Sequence, residues 1–352
     1  MEPFVYQGLP SRVVFGVGSL DQLDREIELL GAQRALVLAT PQQRAQAEQL
    51  AARIGPRAAG VYAEAVMHVP VETARAARDV AARLGADCAI AIGGGSTTGL
   101  GKAIALETAL PIIAIPTTYA GSEMTPIYGL TDGGVKKTGR DIRVLPKTVI
   151  YDPSLTVSLP SALSLTSGIN AIAHAAEGLY AQDANPITSL MAEEGIRALG
   201  DGLPGVIGKP DDLNARAACL YGAWLCGAVL GSVGMSLHHK LCHTLGGTFN
   251  LPHAETHTIV LPHALAYNRD AAPHAMQRIA RALHANDAAQ AVFDLARDHG
   301  APTALKDIGL KEADIDVALE LALTSPYWNP RPVEREPLRA LLRDAFEGRR
   351  PG

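Results

Sequence analysis

The chain has no Cys-x-x-Cys pair, no long basic run, no internal repeat and no low-complexity tract. Each absence removes a class of protein. The four cysteines (Cys88, Cys219, Cys226 and Cys242) are scattered, so a disulfide scaffold or thiolate zinc knuckle gives way to buried thiols in a reducing compartment. With a net charge of −5, nucleic acid is not an expected partner, and an anionic substrate would need a local basic pocket. No apolar run approaches the ~20 residues that span a bilayer, so no membrane partner is expected. The N-terminus, MEPFVYQGLPSRVVFG, lacks a basic start, an apolar core and a cleavage site. The expectation is a cytoplasmic protein.

What is present describes an enzyme-sized globular chain. Its 352 residues are 47% hydrophobic and 19% charged, enough for two cores rather than one. The first part alternates short apolar runs (34–40, 87–92, 111–115 and 148–151) with helical stretches at 42–53 and 71–84. That alternation predicts a parallel sheet covered by helices, a Rossmann-like α/β fold. After Tyr151-Asp152-Pro153 the texture changes to alanine- and leucine-rich segments of 3.6-residue period (171–181, 187–199, 215–230, 275–285 and 289–299). The expected division is an α/β domain over 1–155 and an all-α domain over 156–352, with 347–352 frayed.

Two loops have the composition of a cofactor site. Gly93-Gly94-Gly95-Ser96, followed by Thr97, lies between a predicted strand and a predicted helix. Glycines admit a close approach, and first-turn N–H groups face an incoming anion, so a diphosphate suits this turn. The pattern is neither the Walker loop nor Gly-x-Gly-x-x-Gly, and a turn that only packs is the competing reading. Lys102 stands about two turns into that helix, too far along to be assumed a phosphate ligand. The second loop, Pro116-Thr117-Thr118-Tyr119-Ala120-Gly121-Ser122-Glu123, offers hydroxyls to a ribose or nicotinamide, or else caps the next element.

Six of the eleven histidines fall between His238 and His263. His239 and His243 share a helix face, as do Asn170 and His174 upstream. Gly246-Gly247 is expected to stop the second helix, with Pro252-His253 in the following turn or at a new helix start. Any one of these histidines alone reads as a packing residue, and His238, His257, His263, His274, His284 and His299 are left in that class. Asn170, His174, His239, His243 and His253 together have the shape of a metal or proton-transfer site.

At these residues the chain resembles the iron-type alcohol dehydrogenases over nearly its whole length. The shared features are Pro10-Ser11-Arg12-Val13-Val14-Phe15-Gly16, Gly93–Ser96, Pro116–Thr118, Gly121-Ser122-Glu123, Asp152-Pro153, Gly168–His174, His239-x-x-x-His243-x-x-Gly246-Gly247 and Pro252-His253. The resemblance implies a dehydroquinate synthase-like fold with the active site in the cleft between the two domains, and a homodimer. The departures from the family pattern are Asn170 at an acidic metal-ligand position, Gly99 where Ser-x-x-Asp is usual, and a shortened loop holding Tyr119-Ala120. With Ala39-Thr40-Pro41-Gln42-Gln43, Gly139-Arg140-Asp141 and Tyr327-Trp328-Asn329-Pro330-Arg331-Pro332, they resemble the maleylacetate reductase branch of that family.

That branch implies NADH- or NADPH-dependent reduction of a small dicarboxylate, maleylacetate, to 3-oxoadipate. The expected cofactor contacts are Gly93, Gly94, Gly95, Ser96, Thr97, Thr117, Thr118, Ser122 and Thr40. The expected catalytic histidines are His243 and His253 with His239 and His174, and the expected substrate contacts are Tyr119, Asn170, Trp328 and Arg331. No essential metal is expected, because Asn170 makes the set Asn170, His174, His239 and His253 degenerate. The competing functions are a metal-dependent alcohol or polyol dehydrogenase, a dehydroquinate synthase-like lyase, and a nucleotide-binding protein without turnover.

Overall fold

The structure is a computed structural model describing residues 3–9, 11–133, 135–324 and 327–352. Pro10, which opens the first shared motif, lies outside the described residues. Two compact units divide the chain, Gly8–Leu159 and Pro160–Gly352, with Met1–Gln7 grouped in the second.

In the first unit the elements are β1 (Arg12–Phe15), α1 (Leu23–Leu29), β2 (Ala35–Leu38), α2 (Arg44–Ile54), β3 (Ala58–Tyr62), α3 (Val71–Arg83), β4 (Cys88–Gly93), α4 (Gly95–Thr108), β5 (Ile112–Pro116), β6 (Ile127–Asp132), β7 (Val135–Arg140) and β8 (Thr148–Tyr151). Six strands form one sheet in the order β1-β8-β5-β4-β2-β3, and every pairing is parallel. The interior strands β2, β4, β5 and β8 are buried along their whole length. Parallel strands covered on both faces read as unbroken apolar runs, which is why 34–40, 87–92, 111–115 and 148–151 stand out in the sequence. The edge strands β1 and β3 are only partly buried and carry no such run. Since the strands are parallel, the turns after β2, β4 and β5 all leave from the carboxyl edge, where α/β sheets bind ligands.

The second unit contains α5 (Ser161–Leu179), α6 (Pro186–Gly208), α7 (Leu213–Ser232), α8 (Leu237–Phe249), α9 (His253–Asn268), α10 (Pro273–Ala282), α11 (Ala288–Asp298), α12 (Asp314–Leu323) and α13 (Arg335–Glu347). From Ser164 to Leu179 every residue of α5 is buried, the signature of a helix at the centre of a bundle. Around it pack α6, α7 and α9. Among the described residues one helix, α7, is long and apolar enough to cross a membrane, contrary to the expectation that no such run exists. It packs against α5 and α6, and its fully buried Arg216 donates to Pro210 O and Ser164 Oγ. Those contacts are those of a bundle helix.

One helix end differs from expectation. Gly246-Gly247 does not stop α8, which runs on to Phe249 and ends at Asn250 in the left-handed conformation, φ 53°. Asparagine tolerates that region better than most residues, so the stop signal lies three residues beyond the glycines. Pro252 then takes the N-cap position of α9, whose first residue is His253.

Candidate active site

At the carboxyl edge of the sheet, Gly93 closes β4 with φ 151°. A Cβ there would lie 2.5 Å from Thr97 Oγ1 and 2.7 Å from Gln43 Oε1, and one on Gly94 would lie 2.9 Å from Thr118 Cγ2. The turn is therefore glycine by steric necessity at Gly93 and Gly94, and it opens directly into α4, where Thr97 N and Thr98 N donate to Gly94 O and the N–H groups of Gly95 and Ser96 precede the helix's hydrogen-bond ladder. Gly95 is exposed and Ser96 half-buried, so the anion-binding end of the helix is open. Thr97, by contrast, is wholly buried beneath Gly93 and presents no surface.

The neighbouring loops converge on this turn. Thr117 N donates to Gly93 O at 3.0 Å. Thr40, at the N-cap of the short turn Pro41–Gln43, leads into Gln43, whose Nε2 donates to Thr117 Oγ1 at 3.1 Å. Gln43 closes the Ala39–Gln43 stretch that carries the family resemblance but was not among the expected cofactor contacts; its bond to Thr117 comes only with the fold. Thr118 and Ser122 are half-buried, whereas Tyr119 is fully buried. Gly99, the departure from the family's aspartate, has a local explanation. A Cβ at this position would stand 2.9 Å from Val69 Cγ2, and Val69 itself is held at φ 44°, an unusual conformation for a β-branched residue.

In the helical unit, α5, α8 and α9 bring six histidines together. Ring centroids are 5.2 Å apart for His174 and His239, 6.1 Å for His239 and His243, and 4.3 Å for His253 and His257. His257 also lies 5.1 Å from His239 and 4.8 Å from His238, and His238 Nε2 pairs with His257 Nδ1 at 3.0 Å. His238 and His257, set aside in the sequence as packing residues, thus belong to the cluster. The available signal was the four-residue spacing of His253 and His257. Exposure falls steadily inward: His243 is exposed, His253 half-buried, His174 and His239 buried, and His257 and His238 deepest. Desolvation, reinforced by the neighbouring imidazoles, holds His174, His238 and His257 well below the ordinary histidine pKa, so all three are neutral at physiological pH.

Glu177 organises this cluster, and no sequence motif pointed to it. One turn beyond His174 on α5, it is fully buried. Its Oε2 accepts from His239 Nδ1 at 2.7 Å and from Ser236 N at 2.8 Å, and its Oε1 accepts from His238 N at 2.8 Å. A carboxylate at the N-terminus of α8 suits the helix dipole. It also holds a proton on Nδ1 of His239, whose other ring nitrogen is Nε2. That Nε2 is buried and unpartnered, as are His174 Nδ1 and Asn170 Oδ1.

These donors fit a catalytic divalent metal poorly. The position that needs a carboxylate holds Asn170, whose amide oxygen is neutral, and Glu177 is committed to the backbone N–H groups of Ser236, His238 and His239 and to the His239 ring. Among the described residues, the one triad with ligating atoms within 4.8 Å of one another is His238, Cys242 and His257. There the imidazoles already bond each other, and burial raises the thiol far above its usual pKa. Catalytic zinc and iron sites in such folds normally include an anionic ligand that offsets part of the charge of the ion.

Arg331 is held at the far end of α9 from His253. Its guanidinium stacks 4.3 Å from the Tyr267 ring and its Nη1 donates to Tyr267 O at 3.1 Å. Tyr267 lies fourteen residues beyond His253 on α9, about 21 Å at 1.5 Å per residue. Stacking on an aromatic face satisfies a guanidinium well. Trp328 is half-buried in the same segment.

Residues 10–153 match the iron-containing alcohol dehydrogenase family and residues 164–346 its C-terminal domain. Maleylacetate reductase of Burkholderia cepacia is 62% identical over 351 residues, covering 100% of both chains. That of Pseudomonas sp. strain P51 is 57% identical over 348 residues, 99% of each. The crystal structure of maleylacetate reductase from Agrobacterium tumefaciens is 56% identical, covers 100% of both chains and superposes with a TM-score of 0.97.

Proposed function

Because the chain belongs to the iron-containing alcohol dehydrogenase family and is an oxidoreductase, we propose that it reduces maleylacetate to 3-oxoadipate, a step in aromatic-compound degradation. The full-length likeness to enzymes of that name carries this reading. Gly93–Ser96 and the N-terminus of α4 would hold the diphosphate of NADH or NADPH, and Thr117, Thr118 and Ser122 its nicotinamide side. The bound cofactor would supply hydride for the carbon–carbon double bond conjugated to the ketone, and one proton would complete the saturated product. The outer histidines His243 and His253 supply the proton or polarise the ketone oxygen; His174 and His239 line the inner wall with Asn170. We place the enzyme in the cytoplasm as a homodimer. Tyr119 supports the loop from within.

A spectrophotometric assay tests the reading: NADH oxidation with maleylacetate should far exceed that with propanal or glycerol. At Thr40 no carboxylate stands ready to grip a ribose 2′-hydroxyl or repel a 2′-phosphate. NADPH should therefore work within about tenfold of NADH, or ~1.4 kcal/mol. Equal turnover of a simple aldehyde would remove the substrate assignment.

Catalysis, in this proposal, needs no metal. An aspartate at position 170 would repel a dianionic substrate, by about 4 kcal/mol at ~4 Å and an effective dielectric of ~20. Asparagine removes that charge and leaves a neutral pocket able to donate hydrogen bonds to carboxylate or enolate oxygens. Activity should survive exhaustive EDTA treatment, with well under one equivalent of zinc or iron by elemental analysis. Asn170→Asp should raise metal content and lower turnover. Complete loss on chelation, reversed by one divalent ion, would overturn this view.

A further inference from the structure

Lys102 is the buried charge that this function leaves unused. The sequence places it two turns into α4, beyond reach of a phosphate at the helix start, yet its side chain is only 1% exposed. Its ammonium donates to Ser122 O at 2.7 Å, Ile127 O at 2.8 Å and Thr125 Oγ1 at 2.9 Å, with Ser122 Oγ at 3.4 Å. All four oxygens come from one segment, 122–127, that follows the hydroxyl-rich loop. A methionine would fill the same space without the desolvation penalty of a buried cation. The charge therefore matters for what it holds.

The segment it holds has little order of its own. Gly121 turns it at φ 77°, and a single 3-10 turn, Ser122–Met124, separates that glycine from β6. Glu123 is buried beside it and accepts from Tyr151 Oη at 2.8 Å. Burial moves Lys102 down to about 7 and Glu123 upward, so neither charge is held by solvent. At the other end of the loop, Gln43 holds Thr117. Thr117, Thr118 and Ser122 thus lie between two side-chain anchors, one reaching from the end of β2 and one from inside α4.

We propose that Lys102 is a positioning residue for the cofactor: its ammonium ties the loop ending at Ser122 to the helix whose first turn receives the diphosphate. The inference rests on the cofactor reading above. A loop fixed before binding loses less conformational freedom when the nicotinamide arrives, and it holds the ring where hydride transfer requires it.

Lys102→Met and the milder Thr125→Val test this, with fold and Tm checked by circular dichroism. NADH affinity is read by fluorescence titration, and kcat and KM for maleylacetate by steady-state assay. Lys102→Met should weaken NADH binding at least tenfold and lower kcat at least tenfold, with KM for maleylacetate moving less than threefold. Thr125→Val should weaken NADH binding about threefold in the same direction, and it decides alone if Lys102→Met does not fold. A role confined to stability would lower Tm and leave NADH affinity within twofold in the folded variants, overturning the proposal. Failure of the parent protein to bind NADH would instead overturn the cofactor reading, and the inference with it.

Discussion

Glu177→Gln is expected to lower turnover of maleylacetate by about ten- to a hundredfold, the usual effect of losing the partner that orients a functional histidine. The reason lies in the donor count. Both carboxylate oxygens face donors only: Ser236 N, His239 Nδ1 and, at 3.4 Å, His239 N on one side; His238 N and, at 3.5 Å, Tyr180 Oη on the other. A glutamine keeps the shape but must aim its NH2 group at one of those N–H groups. If it turns toward His238 N, two donors meet in a fully buried space, at a cost of about 1–3 kcal/mol for the unsatisfied group. If it turns the other way, His239 loses the acceptor that holds its Nδ1 proton, and its Nε2 no longer faces inward in one defined state. The second outcome releases His239, which lies between His174 and His243, and the first strains the start of α8, which carries it. Thermal unfolding should shift down by several degrees, and kcat should fall further than that shift alone would explain. A folded Glu177→Gln enzyme with kcat within twofold of the parent would remove Glu177 from the positioning role.

Glu177 also shows where sequence reading stopped. Buried interior strands announce themselves, because both faces of β4 and β5 are covered and the residues are apolar without interruption. The helices of the second unit do so as well, through 3.6-residue periodicity, and Asn170, His174, His239 and His243 were visible as pairs four residues apart. What periodicity cannot reveal is a contact between elements distant in sequence. Glu177 lies sixty-one residues before His238, and in the sequence it is one acidic residue at the end of an alanine-rich helix. His238 and His257 were missed for the same reason: they meet only when α8 packs on α9. Arg331 was legible only as a residue suited to carboxylates; its stacking on Tyr267 joins segments sixty-four residues apart. Edge strands were missed because half-exposed residues carry no clear pattern; β1 and β3 are in that class.

Acid should destabilise the protein steeply, beginning near pH 6.5. His174, His238 and His257 are neutral in the folded state, first because burial disfavours the imidazolium and second because neighbouring imidazoles repel it. In the unfolded chain each has an ordinary pKa of about 6.5. Below that value the unfolded state binds protons that the folded state refuses, so stability is full above about pH 6.5 and declines as pH falls toward the depressed folded values. Each such histidine contributes at most ~1.4 kcal/mol per pH unit, so three together give up to about 4 kcal/mol per unit. Against a total stability of about 5–15 kcal/mol, about one to four units of acidification should be enough to unfold the helical unit. Urea midpoints measured between pH 7.5 and 5.5 will show this as a fall confined to the region below about 6.5. His257→Asn places an amide near the Nδ1 position that pairs with His238 but cannot ionise, and it should flatten the slope by about a third. A midpoint that stays level from pH 7.5 to 5.5 would mean that the cluster takes up protons while folded, and the neutral pocket proposed for the dianionic substrate would have to be abandoned.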